Sequence, residues 1–242
     1  MLRTVLATLT AVVALNAGVV AAAPVAARSS GAAFNFTFDV NGSAATLLNQ
    51  VYAAGSAPPS YNVKKTQAKF NHVKTYPNHL AVTTTASNLV STATSTGLNA
   101  AGGITATATA KVGKASSTVK SPTSTDVSFS GSNISSSASY SVTKAGVGTT
   151  KGSSKIGGLS LSAPFFQVPK ITYSGTPAPN KVLYKSTDGT VTVFANHQVV
   201  TQLAGNKTGI TVNAIDMVVK NYVVGPYTVN GELAVGTSIA KN

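Results

Sequence analysis

Residues 103–112 read GITATATAKV, and apolar and polar side chains alternate through them without a break. Ile104, Ala106, Ala108, Ala110 and Val112 fall on one side of an extended chain; Thr105, Thr107, Thr109 and Lys111 fall on the other. A period of two belongs to a strand with one buried face, whereas an amphipathic helix places apolar residues every three or four positions. From about His79 to the C-terminus the same texture continues in Val, Thr, Ser, Ala and Gly, broken at short intervals by turn residues. The pattern commits the chain to an all-β fold, an antiparallel β-sandwich or a jelly-roll-like barrel. Three inward alanines leave space, so this strand is expected to pack against a bulky partner, the Phe34–Phe38 row. Its threonines are expected to be the solvated side.

Strands are expected at 79–86, 104–112, 126–131, 136–143, 157–162, 166–173, 181–186, 190–199, 208–224 and 227–238, with a further core strand carrying Phe34, Phe36, Phe38 and Val40. Asn41-Gly42, Asp188-Gly189 and Asn230-Gly231 have the composition of two-residue hairpin turns. One segment changes period. In residues 43–55, Ala44, Leu47, Leu48, Val51 and Tyr52 follow helical spacing, with Ser43 placed as an N-cap and Gly55 beyond the end, which predicts one short N-terminal helix. Residues 113–155 have few large apolar side chains, while 156–238 carry the denser apolar content. No fixed-period internal repeat is present, which disfavours a solenoid.

The N-terminus has the layout of a secretory signal: Arg3, an apolar run from Val5 to Val20, then Ala21, Ala22 and Ala23 before Pro24. The expected organisation is a signal peptide at 1–22, a flexible segment at 23–33 and a single β domain at 34–242. No later stretch has the apolar length of a membrane-spanning helix, so no integral span is expected. The chain contains no cysteine. An exported protein without thiols has no disulfide staples, no thiolate metal site and no thiol chemistry. Asn35, Asn41, Asn133 and Asn206 lie in N-x-Ser/Thr sequons, as a Ser/Thr-rich chain produces by chance.

Charge is scarce and one-sided. Lys and Arg number 18 against 5 Asp and Glu, a formal net charge of +13. Between Val40 and Thr187 the only acid is Asp126. Such a field attracts polyanions, so anionic extracellular polymers or cell-wall material are the expected partners, with Lys64, Lys65, Lys69 and Lys74 as the candidate binding cluster. Arginine, the residue of bidentate base and phosphate contacts, is nearly absent, so specific nucleic-acid recognition is not expected.

A search for catalytic chemistry returns little. The histidines are His72, His79 and His197, and no G-x-S-x-G elbow accompanies the many serines. His197 reads as an ordinary strand-end residue. A carboxylate pair would have to come from Asp39, Asp126, Asp188, Asp216 and Glu232; Asp188 belongs to its turn, and Asp216 lies opposite the apolar face of its strand. His72 and His79 have no acid close in sequence to complete a metal site. The expectation is a non-enzyme without cofactor.

The stretch VTVFANHQVVTQLAGNKTGITVNAIDMVV (191–219), followed by GELAVGTSIA (231–240), resembles the closing strands of bacterial choice-of-anchor P surface proteins. The Ser/Thr/Ala alternation at 83–112 and GLSLSA (158–163) are similar in texture, and the likeness spans about the last two-thirds of the chain. It implies export and surface association, and it brings no catalytic residues to carry over. The chain departs from that family by ending at Lys241-Asn242 without a sorting motif or hydrophobic tail, which favours release as a soluble protein. The expected function is thus a secreted structural or adhesive protein with a cationic surface, self-associating through strand edges where these are open. Two alternatives stand beside it. One is a β-pore-forming toxin inserting 103–143, although the face formed by Ala106, Ala108 and Ala110 is thin for a lipid-facing band. The other is a cationic lectin, for which Tyr61, Tyr76, Tyr140, Tyr173, Tyr184, Tyr222 and Tyr227 are the available sugar platforms in a chain without Trp.

Overall fold

The computed structural model describes residues 27–40, 43–57, 59–75, 81–96, 103–121, 124–143, 145–203 and 207–242. The side chains of most of β1 and of the first half of β2 lie outside that description, as do the expected signal peptide, Asn41-Gly42, Tyr76, His79 and Asn206.

Among the described residues twelve antiparallel strands follow one another: β1 (Ala27–Val40), β2 (Ser43–Ala57), β3 (Tyr61–Thr75), β4 (Ala81–Ser95), β5 (Ile104–Ser121), β6 (Ser124–Val142), β7 (Gly148–Ala163), β8 (Val168–Gly175), β9 (Lys181–Lys185), β10 (Val191–Leu203), β11 (Lys207–Val224) and β12 (Tyr227–Lys241). They form two six-stranded sheets. The first, sheet A, has the order β2-β1-β12-β11-β10-β9, and the second, sheet B, runs β3-β4-β5-β6-β7-β8. The all-β sandwich stands. Apart from the two crossings between sheets, consecutive strands are neighbours, so the connectivity is a meander rather than the Greek keys of a jelly roll. Both crossings are sealed by aromatic contacts. At the first, the Tyr61 ring lies so close over Gly55 that an added Cβ would sit 2.2 Å from it. At the second, between β8 and β9, the Lys181 ammonium lies 5.3 Å over the Tyr173 ring. At the 3-10 turn joining β7 to β8 (Pro164–Phe166), Phe166 packs edge-on to Tyr222 of sheet A, whose hydroxyl donates to the Phe165 carbonyl at 2.8 Å.

Two apolar clusters fill the interior. The larger centres on Leu89, Phe129, Ile134, Ile156, Leu161, Ile215, Met217 and Leu233, and the smaller on Ile104, Tyr140, Ile210 and Val212. Each fully buried side chain of this size contributes about 1.5–3 kcal/mol. The five apolar residues of GITATATAKV all point into this interior and are buried, as expected. Part of the bulk beside the alanines is Tyr140, opposite Ala106 on β6, and Ile210 and Val212 join the same cluster from sheet A. β1 does face β5, but its phenylalanine side chains lie outside the described residues.

A crease crosses both sheets. In β4 the buried positions are Val82, Thr84 and Ala86, then Leu89, Ser91 and Ala93; the phase flips at Asn88. β5 flips at Gly113, β6 near Asn133 and β7 at Gly157. By register these four residues are level with one another, because every strand carries the extra residue at the same height. Asn88 and Asn133 have φ of 53° and 48°, the left-handed region that Asn tolerates better than most residues. A glycine on the next strand receives each of these side chains: a Cβ on Gly113 would lie 2.7 Å from the Asn88 Cβ, and one on Gly157 would lie 2.8 Å from that of Asn133. In sheet A, Asn196 (φ 54°), Ala214 and Gly236 (φ 66°) form the equivalent row. A bulge between Ala32 and Phe34, opposite Tyr52 and Asn49, extends it into β1 and β2.

The fold departs from expectation at several points. Residues 43–55 are not a helix; they are strand β2, paired with β1 from Val40↔Ser43 onward. Apolar residues fall in both alternating sets of this strand, Leu47 and Val51 in one and Ala44, Leu48 and Tyr52 in the other, and their spacings of three and four imitate a helical period. Residues 27–33, expected as a flexible segment ahead of the domain, are the first half of β1. Asn230-Gly231 is not a hairpin turn but lies inside β12, where the Asn230 side chain accepts the backbone N–H of Asn221 at a second irregularity of β11. The connection between β11 and β12 is made by Gly225-Pro226 instead. Asp188-Gly189 does lie in the β9–β10 connection, with Asp188 Oδ1 accepting from Ser186 Oγ and from the Thr190 backbone and hydroxyl.

Candidate functional site

The strands of sheet B carry Lys64, Lys65, Lys69, Lys74, Lys111, Lys114, Lys120, Lys151, Lys155 and Lys170 against one acid, Asp126. Strand alternation then sorts these lysines by face. Lys64 is level with Thr92 and Thr109, Lys111 lies between Val90 and Ser135, and Lys155 follows Ser135; all three point outward and are exposed. Around them stand rows of hydroxyls that bond laterally, including Thr85 Oγ1 to Ser116 Oγ at 2.7 Å and Thr105 Oγ1 to Ser141 Oγ at 3.0 Å. These pairs use cross-strand neighbours on one face of the sheet. The outer face is therefore a low, hydroxyl-covered surface from which lysine stems project.

Beside the crease this face sinks into a trough of about 770 Å³. Its floor is the row Phe70, Ala86, Ala115, Gly131 and Leu159; the side chains present turn toward the core and leave backbone bare on the outside. One bank is Lys69, Ser87, Lys114, Ser132 and Gly158; the other is Asn71, Thr85, Ser116, Ser130 and Ser160. No acid lines it.

The expected cluster of Lys64, Lys65, Lys69 and Lys74 lies along β3, an edge strand. Lys64 and Lys69 share the outer face, on either side of the crease, and Lys69 enters the trough. Lys65 is exposed on the opposite side of the strand, level with the inward Ser91; the backbone of Lys74 pairs with Val82. Reading along the chain missed Lys114, Lys111 and Lys155, which are remote in sequence and which the sheet places beside β3.

On the outside of sheet A the crease gathers a second group. His197 is not at a strand end but within β10, where its Nδ1 lies 2.6 Å from Asp216 Oδ2 on β11. Asn213 Nδ2 donates to the same Asp216 oxygen at 2.9 Å and to Glu232 Oε1 at 3.2 Å, while Thr237 Oγ1 donates to Asn213 Oδ1 at 2.8 Å. The Phe194 ring stacks on His197 with centroids 4.3 Å apart. Asp216 is 1% exposed, and its Oδ1 is buried without a hydrogen-bond partner. Burial, and then the Asp216 carboxylate, push the Glu232 carboxyl above its ordinary range, against opposing pulls from His197 and the Asn213 amide. Among the described residues no trio of His, Asp and Glu is arranged to hold a metal ion. His72 stands apart from this group, stacked with Phe70 on β3.

The described tyrosine side chains proposed as sugar platforms are engaged within the fold. Tyr140 is buried, Tyr61 covers Gly55, and Tyr173 sits beneath the Lys181 ammonium at 5.3 Å. Tyr184 and Tyr222 donate their hydroxyls to the carbonyls of Gln167 and Phe165. The side chain of Tyr227 lies outside the described residues. Tyr52, which the helical reading placed elsewhere, is 56% exposed on β2.

No protein-family model matches the chain, and no curated protein matches it.

Proposed function

We propose that the chain is a secreted, non-enzymatic extracellular protein that attaches to anionic matrix or cell-wall polymers through the outer face of sheet B. The observation that carries this reading is the segregation of charge: ten lysines and a single acid on six adjacent strands, several of those lysines rising from a Ser/Thr surface. Long polyanions gain from many weak, screened contacts spread over such a face. The same face is the reason to prefer attachment over pore formation. A lipid-facing strand needs an apolar outer band, and here Thr105, Thr107, Thr109 and Lys111 point outward while the apolar row is buried. The lectin alternative is weakened by the engagement of its tyrosines. Export and surface association follow the signal-like N-terminus and the resemblance of residues 191–219 and 231–240 to choice-of-anchor P proteins.

The test is co-sedimentation with acidic cell-wall polymer over a salt series. Retention at low salt that falls as salt rises is the expected result. A Lys64→Glu, Lys111→Glu, Lys155→Glu variant that sediments as well as the parent would overturn the assignment of the face.

A further inference from the structure

We infer that the trough beside the crease of sheet B seats one extended acidic polysaccharide chain, lying across strands β3 to β7. The inference rests on the polymer-attachment reading above and narrows it to a site, an orientation and a ligand chemistry. Neighbouring strands are spaced about 4.8 Å apart, so five of them give a channel on the order of 20 Å long running perpendicular to the strands. Its floor is free of outward side chains and its banks, apart from two lysines, are Ser, Thr, Asn and Gly, so a flat chain can approach the backbone closely. Two cations stand on one bank, Lys69 on β3 and Lys114 on β5, with β4 between them. That places their stems about 10 Å apart. Hydroxyl and amide groups such as Ser130, Ser132 and Asn71 are suited to sugar hydroxyls, and the two ammonium groups to carboxylates recurring along a uronic-acid chain.

The lining argues for a polysaccharide and against single-stranded nucleic acid. Base-binding grooves supply aromatic faces or guanidinium planes for stacking. The trough has no arginine, and its one aromatic residue, Phe70, packs against the core. Nothing in it can hold an unstacked base, while every bank residue except Gly158 offers a polar side-chain group.

The experiment measures binding of an oligogalacturonate by the full chain, with its methyl ester and an oligodeoxythymidylate as comparison probes. Ser130 is exposed on one bank of the trough, so Ser130→Trp fills the channel and leaves every lysine in place. Ser130→Trp and Lys114→Gln are each expected to weaken oligogalacturonate binding about tenfold, whereas Lys151→Gln, on the same face outside the channel, leaves it unchanged. The methyl ester is expected to bind more weakly than the free acid. Ser130→Trp should still sediment with long acidic polymer, because the surrounding lysines are intact. If Ser130→Trp binds the oligosaccharide like the parent while the parent sediments with polymer, the channel is wrong and the face is right. If the parent binds neither, both readings fail. Tighter binding of the oligodeoxythymidylate than of the oligogalacturonate would overturn the choice of ligand.

Discussion

His197 Nδ1 and Asp216 Oδ2 lie 2.6 Å apart, although 19 positions separate them in sequence and the two residues sit on opposite sides of the crease on adjacent strands. In a flat sheet, outward side chains three rows apart do not meet. The bend at Asn196 and Ala214 closes that interval and buries the Asp216 carboxylate between His197, Asn213 and Glu232. Asp216→Ala removes the acceptor of the His197 ring and the nearer of the two acceptors of the Asn213 amide, and is expected to cost about 2–3 kcal/mol in urea unfolding. His197→Ala should cost far less in the Asp216→Ala background than in the parent, because its partner is already gone. Additive losses would show that the two residues act independently.

Glu232 gives the same group a pH dependence. Its carboxyl is raised in the folded state by burial and by Asp216, so the folded chain holds that proton more tightly than the unfolded chain does. The resulting stabilisation is fully present below the ordinary glutamate value of 4.5 and is lost as pH rises through the higher folded value. Parent and Glu232→Gln, unfolded in urea at a series of pH values, should therefore diverge as pH rises from 4.5, with the parent falling relative to the variant. A constant difference across that window would sink the assignment.

The crease makes a prediction of backbone conformation. Asn88 and Asn133 occupy the left-handed region, where Gly is at ease and β-branched residues are strained. Asn133→Gly should be close to neutral, and Asn133→Val should destabilise by about 1–2 kcal/mol or more. Gly157→Ala should also destabilise, because its Cβ would lie 2.8 Å from that of Asn133. Thermal unfolding of the three variants checks the order, and equal melting of Asn133→Val and Asn133→Gly would contradict it.

The crease also marks what could be read from the sequence and what could not. The period-two rows were legible wherever they ran unbroken. The expected strands 79–86 and 104–112 stop at or just before Asn88 and Gly113, and 126–131 and 136–143 are one strand, β6, divided around Asn133. Each phase flip removes the signal that a period-two reading depends on, and in β2 apolar residues in both alternating sets present a helical spacing instead. A local cue was present in Ser87-Asn88-Leu89 and Ser132-Asn133-Ile134, set against Val112-Gly113 and Ile156-Gly157 on the next strands, but its spacing in the chain is irregular and its meaning appears only in register. The lysine face was half legible for a related reason. A chain-order reading finds Lys64 and Lys69 on one strand, whereas Lys114 joins them only through the pairing of β3, β4 and β5. Singly, His197 and Asp216 read as ordinary strand residues; their juxtaposition depends on a bend that no local pattern encodes.

Ser136 and Ser238 join the two sheets from inside. Their hydroxyls are 2.6 Å apart, both residues are buried, and they belong to β6 and β12. Ser136→Ala alone leaves the Ser238 hydroxyl in an apolar interior and is expected to cost about 1–3 kcal/mol. The double change to alanine removes both polar groups and should recover part of that loss. A double variant as unstable as the sum of the two single ones would mean that the hydroxyls do not bond.

The two faces of GITATATAKV should respond oppositely to added bulk. Ala108 is fully buried in a row of alanines that lets β5 approach the facing sheet, so Ala108→Val forces two methyl groups into a packed interior, at a cost of about 1–3 kcal/mol. Thr107 points outward on the same strand and is half-buried among hydroxyls. Thr107→Val keeps its shape and its strand propensity, and should change stability by no more than about 0.5 kcal/mol. Measured together by urea unfolding, the pair tests which face is the wall of the core. A larger loss at Thr107 than at Ala108 would mean that the strand faces the other way. Because Thr107 lies off the trough, Thr107→Val should also leave oligogalacturonate binding intact, and loss of binding there would move the ligand from the trough to the threonine row.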